Sequence, residues 1–191
     1  MIGFFTKLAE LFGMIPGTDM LNPTRHWPEQ RIGDLVLDVD ALKINSVALG
    51  EPFESLEVFG KASRFETVED HLWILSYQSS GLVVFCINGR VANLTAYVTS
   101  DTGEAMSPCS RLTVVKDGSR TDITGSVTAE ELMARFGKPK DAVLYEDDDE
   151  EADGPFDLFW ETAKYRLTAE YQTPEKLWTI EVELEPQDVR A

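Results

Sequence analysis

The chain has 191 residues, 43% of them apolar, and a formal charge of −17 from 34 acids against 17 lysines and arginines. That length and apolar content suffice for one domain or two small ones with a real core. The charge argues against nucleic acid and anionic membranes, since both are bound through lysines and arginines that displace counterions. The partner expected on this ground is a protein, preferably a basic one.

Residues Ile2, Phe5, Leu8, Leu11, Phe12 and Ile15 recur at helical spacing, with Thr6, Lys7 and Glu10 on the other side. They predict an amphipathic helix over 1–17, stopped by Gly13, Pro16 and Gly17, that packs on the body of the protein. Lys7 and Glu10 interrupt its apolar residues and no small-residue cleavage site follows, so it does not read as a signal peptide. No apolar run reaches the roughly 18 residues that a membrane span needs. A cytoplasmic location is the expectation.

Residues 18–41 read as a linker and first strand, the strand being Leu35-Val36-Leu37-Asp38-Val39. More strand character lies between Ile44 and Leu49. A first repeat is then expected over 42–100. It opens with a short helix: Pro52 suits the first turn, Phe53, Leu56 and Phe59 share a face, and Gly60 caps the end. Trp73 to Tyr77 is a strand. Asn88-Gly89 between the apolar runs Gly81–Ile87 and Arg90–Val98 selects a type I′ turn and a tight hairpin.

After a connector over 101–122, a second repeat over 123–185 follows the same plan. Thr128 and Glu131 form a capping box for a helix carrying Leu132, Met133 and Phe136, closed by Gly137. An acidic loop over 146–153 precedes the aromatic strand Phe156–Trp160. Tyr165–Tyr171 and Leu177–Leu184 then form a hairpin around Thr173-Pro174-Glu175-Lys176. The last strand alternates Trp178, Ile180, Val182 and Leu184 with Thr179, Glu181 and Glu183, period two with one buried face. Residues 186–191 form a tail.

The two Phe-Gly-Lys exits, Phe59-Gly60-Lys61 and Phe136-Gly137-Lys138, align the halves at an offset of 77 residues. The expected fold class is therefore α+β, two tandem helix-plus-antiparallel-sheet repeats behind an N-terminal amphipathic helix. From about Leu42 to Leu184 this plan resembles the tandem-repeat fold of β-lactamase inhibitory proteins, and it is similar to the single-repeat outer-membrane assembly lipoproteins. The resemblance implies a fold that binds proteins and does not transform substrates. The chain departs from the first group in having no cysteine staple in each repeat, and from the second in having no acylated cysteine. No binding residue carries over.

Chemistry is poorly supported. The run Glu146 to Asp153 holds seven of the acids, which leaves the remainder at −10. Contiguous acids ahead of Gly154-Pro155 lack the alternating oxygen ligands of a calcium loop. His26 and His71 stand alone, too few for a zinc site. Cys86 sits in an apolar run and reads as a small buried residue. No catalytic residue, cofactor-binding residue, cofactor or metal site is assigned, so an enzyme is not favoured.

One surface stands out. If residue 87 pairs with 90, 85 with 92 and 83 with 94, then Val83, Phe85, Ala92 and Leu94 face the core. The opposite face then carries Leu82, Val84, Cys86, Val91, Asn93, Thr95 and Tyr97 without a charge. Leu82, Val84, Val91, Asn93, Thr95 and Tyr97 are the candidate partner-binding face, covered by the N-terminal helix, the other repeat or another molecule. In the second repeat the matching face holds Arg166, Thr168, Glu170, Thr179, Glu181 and Glu183, as a wetted surface would. The expected function is a non-catalytic protein-binding or regulatory module presenting this sheet. The alternative is a small-molecule binder or hydrolase with an aromatic pocket between the repeats, lined by Trp73, Tyr77, Trp160 and Tyr171.

Overall fold

The computed structural model describes residues 22–100, 106–145 and 155–184. The expected helix over 1–17, the acidic loop 146–153 and the tail 186–191 lie outside the described residues.

The fold is mostly β, which corrects the α+β expectation of two helix-plus-sheet repeats. Thirteen strands are described: β1 (Leu35–Asp38), β2 (Lys43–Ile44), β3 (Val47–Ala48), β4 (Arg64–Glu69), β5 (Leu72–Tyr77), β6 (Leu82–Ile87), β7 (Arg90–Tyr97), β8 (Leu112–Lys116), β9 (Ser119–Ile123), β10 (Asp141–Leu144), β11 (Phe156–Glu161), β12 (Tyr165–Thr173) and β13 (Lys176–Leu184). Among the described residues the α-helix Ala129–Phe136 is two turns long, and Phe53–Phe59 winds as a 3-10 helix. Elements this short cannot form a layer of their own, and they add Leu56 and Leu132 to a β core.

The halves also do not stand as separate helix-plus-sheet units. Each contributes to two shared sheets, ordered β3-β2-β1-β8-β9 and β10-β11-β12-β13-β7-β6-β5-β4. In the first, β1 and β8 run parallel with Leu35 opposite Leu112 and Leu37 opposite Val114, partners 77 residues apart. In the second, β7 and β13 run antiparallel, from Asn93–Glu183 to Tyr97–Thr179. The main core lies between these sheets, where Leu37, Ile44, Leu112 and Val114 meet Leu75, Leu94 and Ile180, and Leu56 and Leu132 join from the helical turns.

The sequence signals act as the physics requires. Asn88 and Gly89 take φ of 52° and 72°, the left-handed pair of a two-residue hairpin turn. Thr128 accepts from the Glu131 backbone while the Glu131 carboxylate accepts from the Thr128 N–H, completing the capping box. Gly60 and Gly137 end their helical turns at φ of 74° and 85°.

Inside the β6–β7 hairpin one extra residue changes the outcome. Ile87 pairs with Arg90 and Cys86 with Val91, but Phe85 then pairs with Asn93, so Ala92 is bulged out. Beyond a bulge every side chain changes face.

Gly81 and Gly89 both have positive φ, yet they meet different surroundings. A Cβ on Gly81 runs into Cys109 N and Ser107 O, whereas Gly89 has open space. Gly89→Ala should cost about 1 kcal/mol from conformation alone, and Gly81→Ala more than about 3 kcal/mol because backbone must move. Urea unfolding of the two variants measures the difference.

Candidate functional site

The bulge splits the candidate face between two surfaces. Leu82, Val84 and Val91, with Cys86, point into the main core, and the buried Cys86 thiol is pushed up to about 12. Asn93, Thr95 and Tyr97 point the other way, joined by Val83 and Phe85 and not opposed to them. The pairing of 85 with 92 and 83 with 94 is thus corrected to 85 with 93 and 83 with 95, and Val83 and Phe85 leave the main core for the outer face.

That outer face has an apolar half and a polar half. On β5, β6 and β7, Leu72, Ile74, Val83, Phe85 and Tyr97 form a second buried cluster, separate from the core. Its partly buried neighbours are Val68, Ile87 and Trp178 of the same sheet and Met106 of the following loop. Tyr97 and Trp178 meet edge to face with centroids 5.7 Å apart.

The β7–β13 ladder carries this cluster into the polar half. Thr179, Glu181 and Glu183 of β13 lie beside Tyr97, Thr95 and Asn93, and β12 adds Arg166, Thr168 and Glu170. Sequence alternation places these residues on one face, but the expectation that water bathes it fails. Thr168, Glu170, Thr179 and Glu181 are buried, Glu181 to 4% exposure, and so is Asp157 on β11.

Buried carboxylates need partners or a proton. Glu170 accepts from Thr179 Oγ1 at 2.5 Å, and Asp157 accepts from the Tyr145 hydroxyl. Arg166 holds Glu161 at 2.6 Å and Glu183 at 3.1 Å, and its guanidinium stands 5.9 Å from the Phe159 ring centre. Glu181 sits between Glu170 and Glu183 in the middle of the seam. Burial first, then those two carboxylates, push it up to about 8.

Hydrogen bonds from Asn93 and Thr95 pull Glu181 the other way, more weakly than burial and the two carboxylates raise it. Thr95 Oγ1 lies 3.0 Å from Asn93 Oδ1 and 3.1 Å from Glu181 Oε2, both acceptors when Glu181 is ionised. One hydroxyl proton cannot serve both. Two arrangements satisfy it: a neutral Glu181 donates to Thr95, which donates to Asn93, or the Asn93 amide turns its Nδ2 to Thr95, which donates to an ionised Glu181. Two buried donors on this face, Asn93 Nδ2 and Trp178 Nε1, have no acceptor within hydrogen-bond geometry among the described residues.

The other sequence candidates do not assemble a site. Trp73 packs on Phe53 and Phe65, Tyr77 on Phe59, Trp160 on Phe136, and Tyr171 stacks on Phe156 at 4.8 Å. These four rings thus fill separate places and line no common pocket among those described. His26 accepts from Arg25 Nε, and His71 lies 3.5 Å from Glu69, both at the exposed surface. Among the described residues no three His, Cys, Asp or Glu side chains cluster as metal ligands, and no helix is long and apolar enough to cross a membrane.

No family model and no curated protein matches the chain. Among solved structures, a DUF4309 family protein (YjgB) from Bacillus subtilis aligns over 75% of this chain and 82% of its own length. Identity is 14% and the TM-score 0.44, a likeness that carries no argument about fold or function.

Glu181 has a folded-state value raised above its ordinary 4.5, so the folded protein holds an extra proton between about pH 4.5 and 8. The contribution of Glu181 to stability is therefore fullest below that window and falls as pH rises through it. Glu181→Gln should flatten the fall, gaining on the order of 2 kcal/mol over the native chain at pH 8. Urea unfolding at pH 5, 6.5 and 8 measures it.

Proposed function

We propose that the protein is a non-catalytic binding module whose recognition surface is the outer face of the eight-stranded sheet. The observation that carries this reading is the composition of that face. An apolar cluster of Ile74, Val83, Phe85 and Tyr97 continues across the β7–β13 seam into buried carboxylates at Glu170 and Glu181. The complementary ligand is a protein segment with an apolar stripe and a basic flank, laid as a helix along that face. Its stripe covers the β5–β6–β7 side, its cations approach the acids of β12 and β13, and its polar groups supply acceptors to Asn93 Nδ2 and Trp178 Nε1. The chain's net charge of −17 attracts such a segment and repels an acidic one.

A synthetic amphipathic helix of leucine and lysine, compared with one of leucine and glutamate, tests the reading on the full chain. The leucine-lysine peptide should shift the amide resonances of Asn93, Thr95, Tyr97, Thr179 and Glu181. Its affinity should fall about tenfold in a Glu170→Gln, Glu183→Gln variant, the equivalent of about 1.4 kcal/mol. Equal binding of the two peptides, or shifts confined to the five-stranded sheet, would contradict it.

A further inference from the structure

We infer that the cavity between the β8–β9 hairpin and the end of the α-helix Ala129–Phe136 binds a small organic carboxylate. This site lies apart from the outer face of the eight-stranded sheet, and it stands or falls independently of the binding reading.

The register of the hairpin builds one wall. Val114 pairs with Thr121 and Lys116 with Ser119, so alternation puts these four side chains on one side of the five-stranded sheet. Val114 belongs to the main core, which makes this the inner side. Toward the Asp117-Gly118 tip that side opens to solvent: Thr121 and Lys116 are half-buried and Ser119 is exposed.

The α-helix supplies the other wall through Arg135 and Phe136, its last two residues. Phe136 is held in place by Trp160, whose ring centre lies 5.5 Å away and whose Nε1 donates to Gly137 O at 2.9 Å. The space between the walls is about 210 Å³. A cavity of roughly 150 Å³ accepts a benzene ring, so this one has room for a ring and a charged group.

Charge selects the ligand. Acids outnumber lysines and arginines 34 to 17 in the chain, yet the cavity is lined by Lys116 and Arg135 and, among the described residues, by no acid. Lys116 meets Asp117 at 2.6 Å, but that acid is 80% exposed, and a wetted ion pair of this kind is weak enough for an incoming anion to share. Arg135 has no ion pair, and the Ser119 and Thr121 hydroxyls no hydrogen bond, among the described residues. A guanidinium presents a planar fork that holds both oxygens of a carboxylate, and the two hydroxyls add neutral donors. Val114 and Phe136 offer no donor. They would leave an oxygen of inorganic phosphate unbonded, whereas they cover an apolar or aromatic body well.

Benzoate is the probe, with benzamide as its neutral match and inorganic phosphate as an anion without a ring. Each is titrated into the full chain and followed through the backbone amide resonances. Benzoate should shift Lys116, Ser119, Thr121 and Phe136 and saturate at millimolar concentration. Benzamide and phosphate should each bind about tenfold more weakly. Arg135→Gln alters an exposed side chain and should weaken benzoate about tenfold, whereas Arg120→Gln, on the opposite side of β9, should leave its affinity unchanged. Equal binding of benzoate and benzamide, phosphate binding as tightly as benzoate, or native affinity in Arg135→Gln would overturn the inference. Benzoate shifts confined to the eight-stranded sheet would overturn it as well.

Discussion

Five residue pairs, from Asn93–Glu183 to Tyr97–Thr179, join β7 to β13 and make one eight-stranded sheet from two four-stranded meanders. The rest of the molecule depends on that ladder. On its inner side it sets Leu94 beside Val182 and Ala96 beside Ile180, which continues the core across both halves. On its outer side it sets Thr95 beside Glu181, and so the largely apolar hairpin of one half meets the acidic hairpin of the other. The parallel β1–β8 pair closes the opposite layer in the same way, with Leu37 against Val114.

A sheet buried on both faces changes the meaning of polar side chains on it. Thr168, Thr179 and Glu181 alternate with Leu167, Ile180 and Val182 as residues of a wetted face do, yet all six are shut away from water. Their solution is local pairing. Thr179 serves Glu170, Tyr145 serves Asp157, and Arg166 divides itself between Glu161 and Glu183. Glu181 is left with hydroxyl and amide neighbours and two nearby carboxylates, and retention of its proton is the cheapest arrangement in that environment. Polar groups so arranged are suited to a reversible contact, because they tolerate both a covered and an open face better than a purely apolar surface does.

Much of this was legible in the sequence wherever a signal is local. The Asn88-Gly89 turn and the Thr128–Glu131 capping box each follow from a few neighbouring residues, whereas the expected single buried face of β13 does not hold, since Thr179 and Glu181 are buried too and a register shift sends Trp178 to the outer cluster. The fold class was not, because the strands that make it mostly β carry weak patterns. β4 and β9 are edge strands, and β9 (Ser119–Ile123) is polar at all but its last position. Asp117-Gly118, with φ of 50° and 73°, was the missed clue that β8 and β9 form a hairpin. The Phe-Gly-Lys exits marked the ends of helical turns, but they gave no sign that β1 pairs with β8 or β7 with β13. Pairings between distant segments have no local signature.

The candidate face shows the same limit on a smaller scale. Alternation alone places Asn93, Thr95 and Tyr97 together, and they share a face. Alternation adds Leu82, Val84 and Val91 to them because a strict two-residue hairpin register leaves no room for a bulge. Ala92 is that bulge, and nothing about an alanine announces it. The account therefore turns on whether the outer face is a dry, covered surface centred on Glu181. A ¹³C-detected titration of the Glu181 side-chain carboxyl in the full chain tests this most directly. A midpoint well above the ordinary 4.5 is the result the account predicts, and a midpoint near 4.5 would show a wetted face and contradict it.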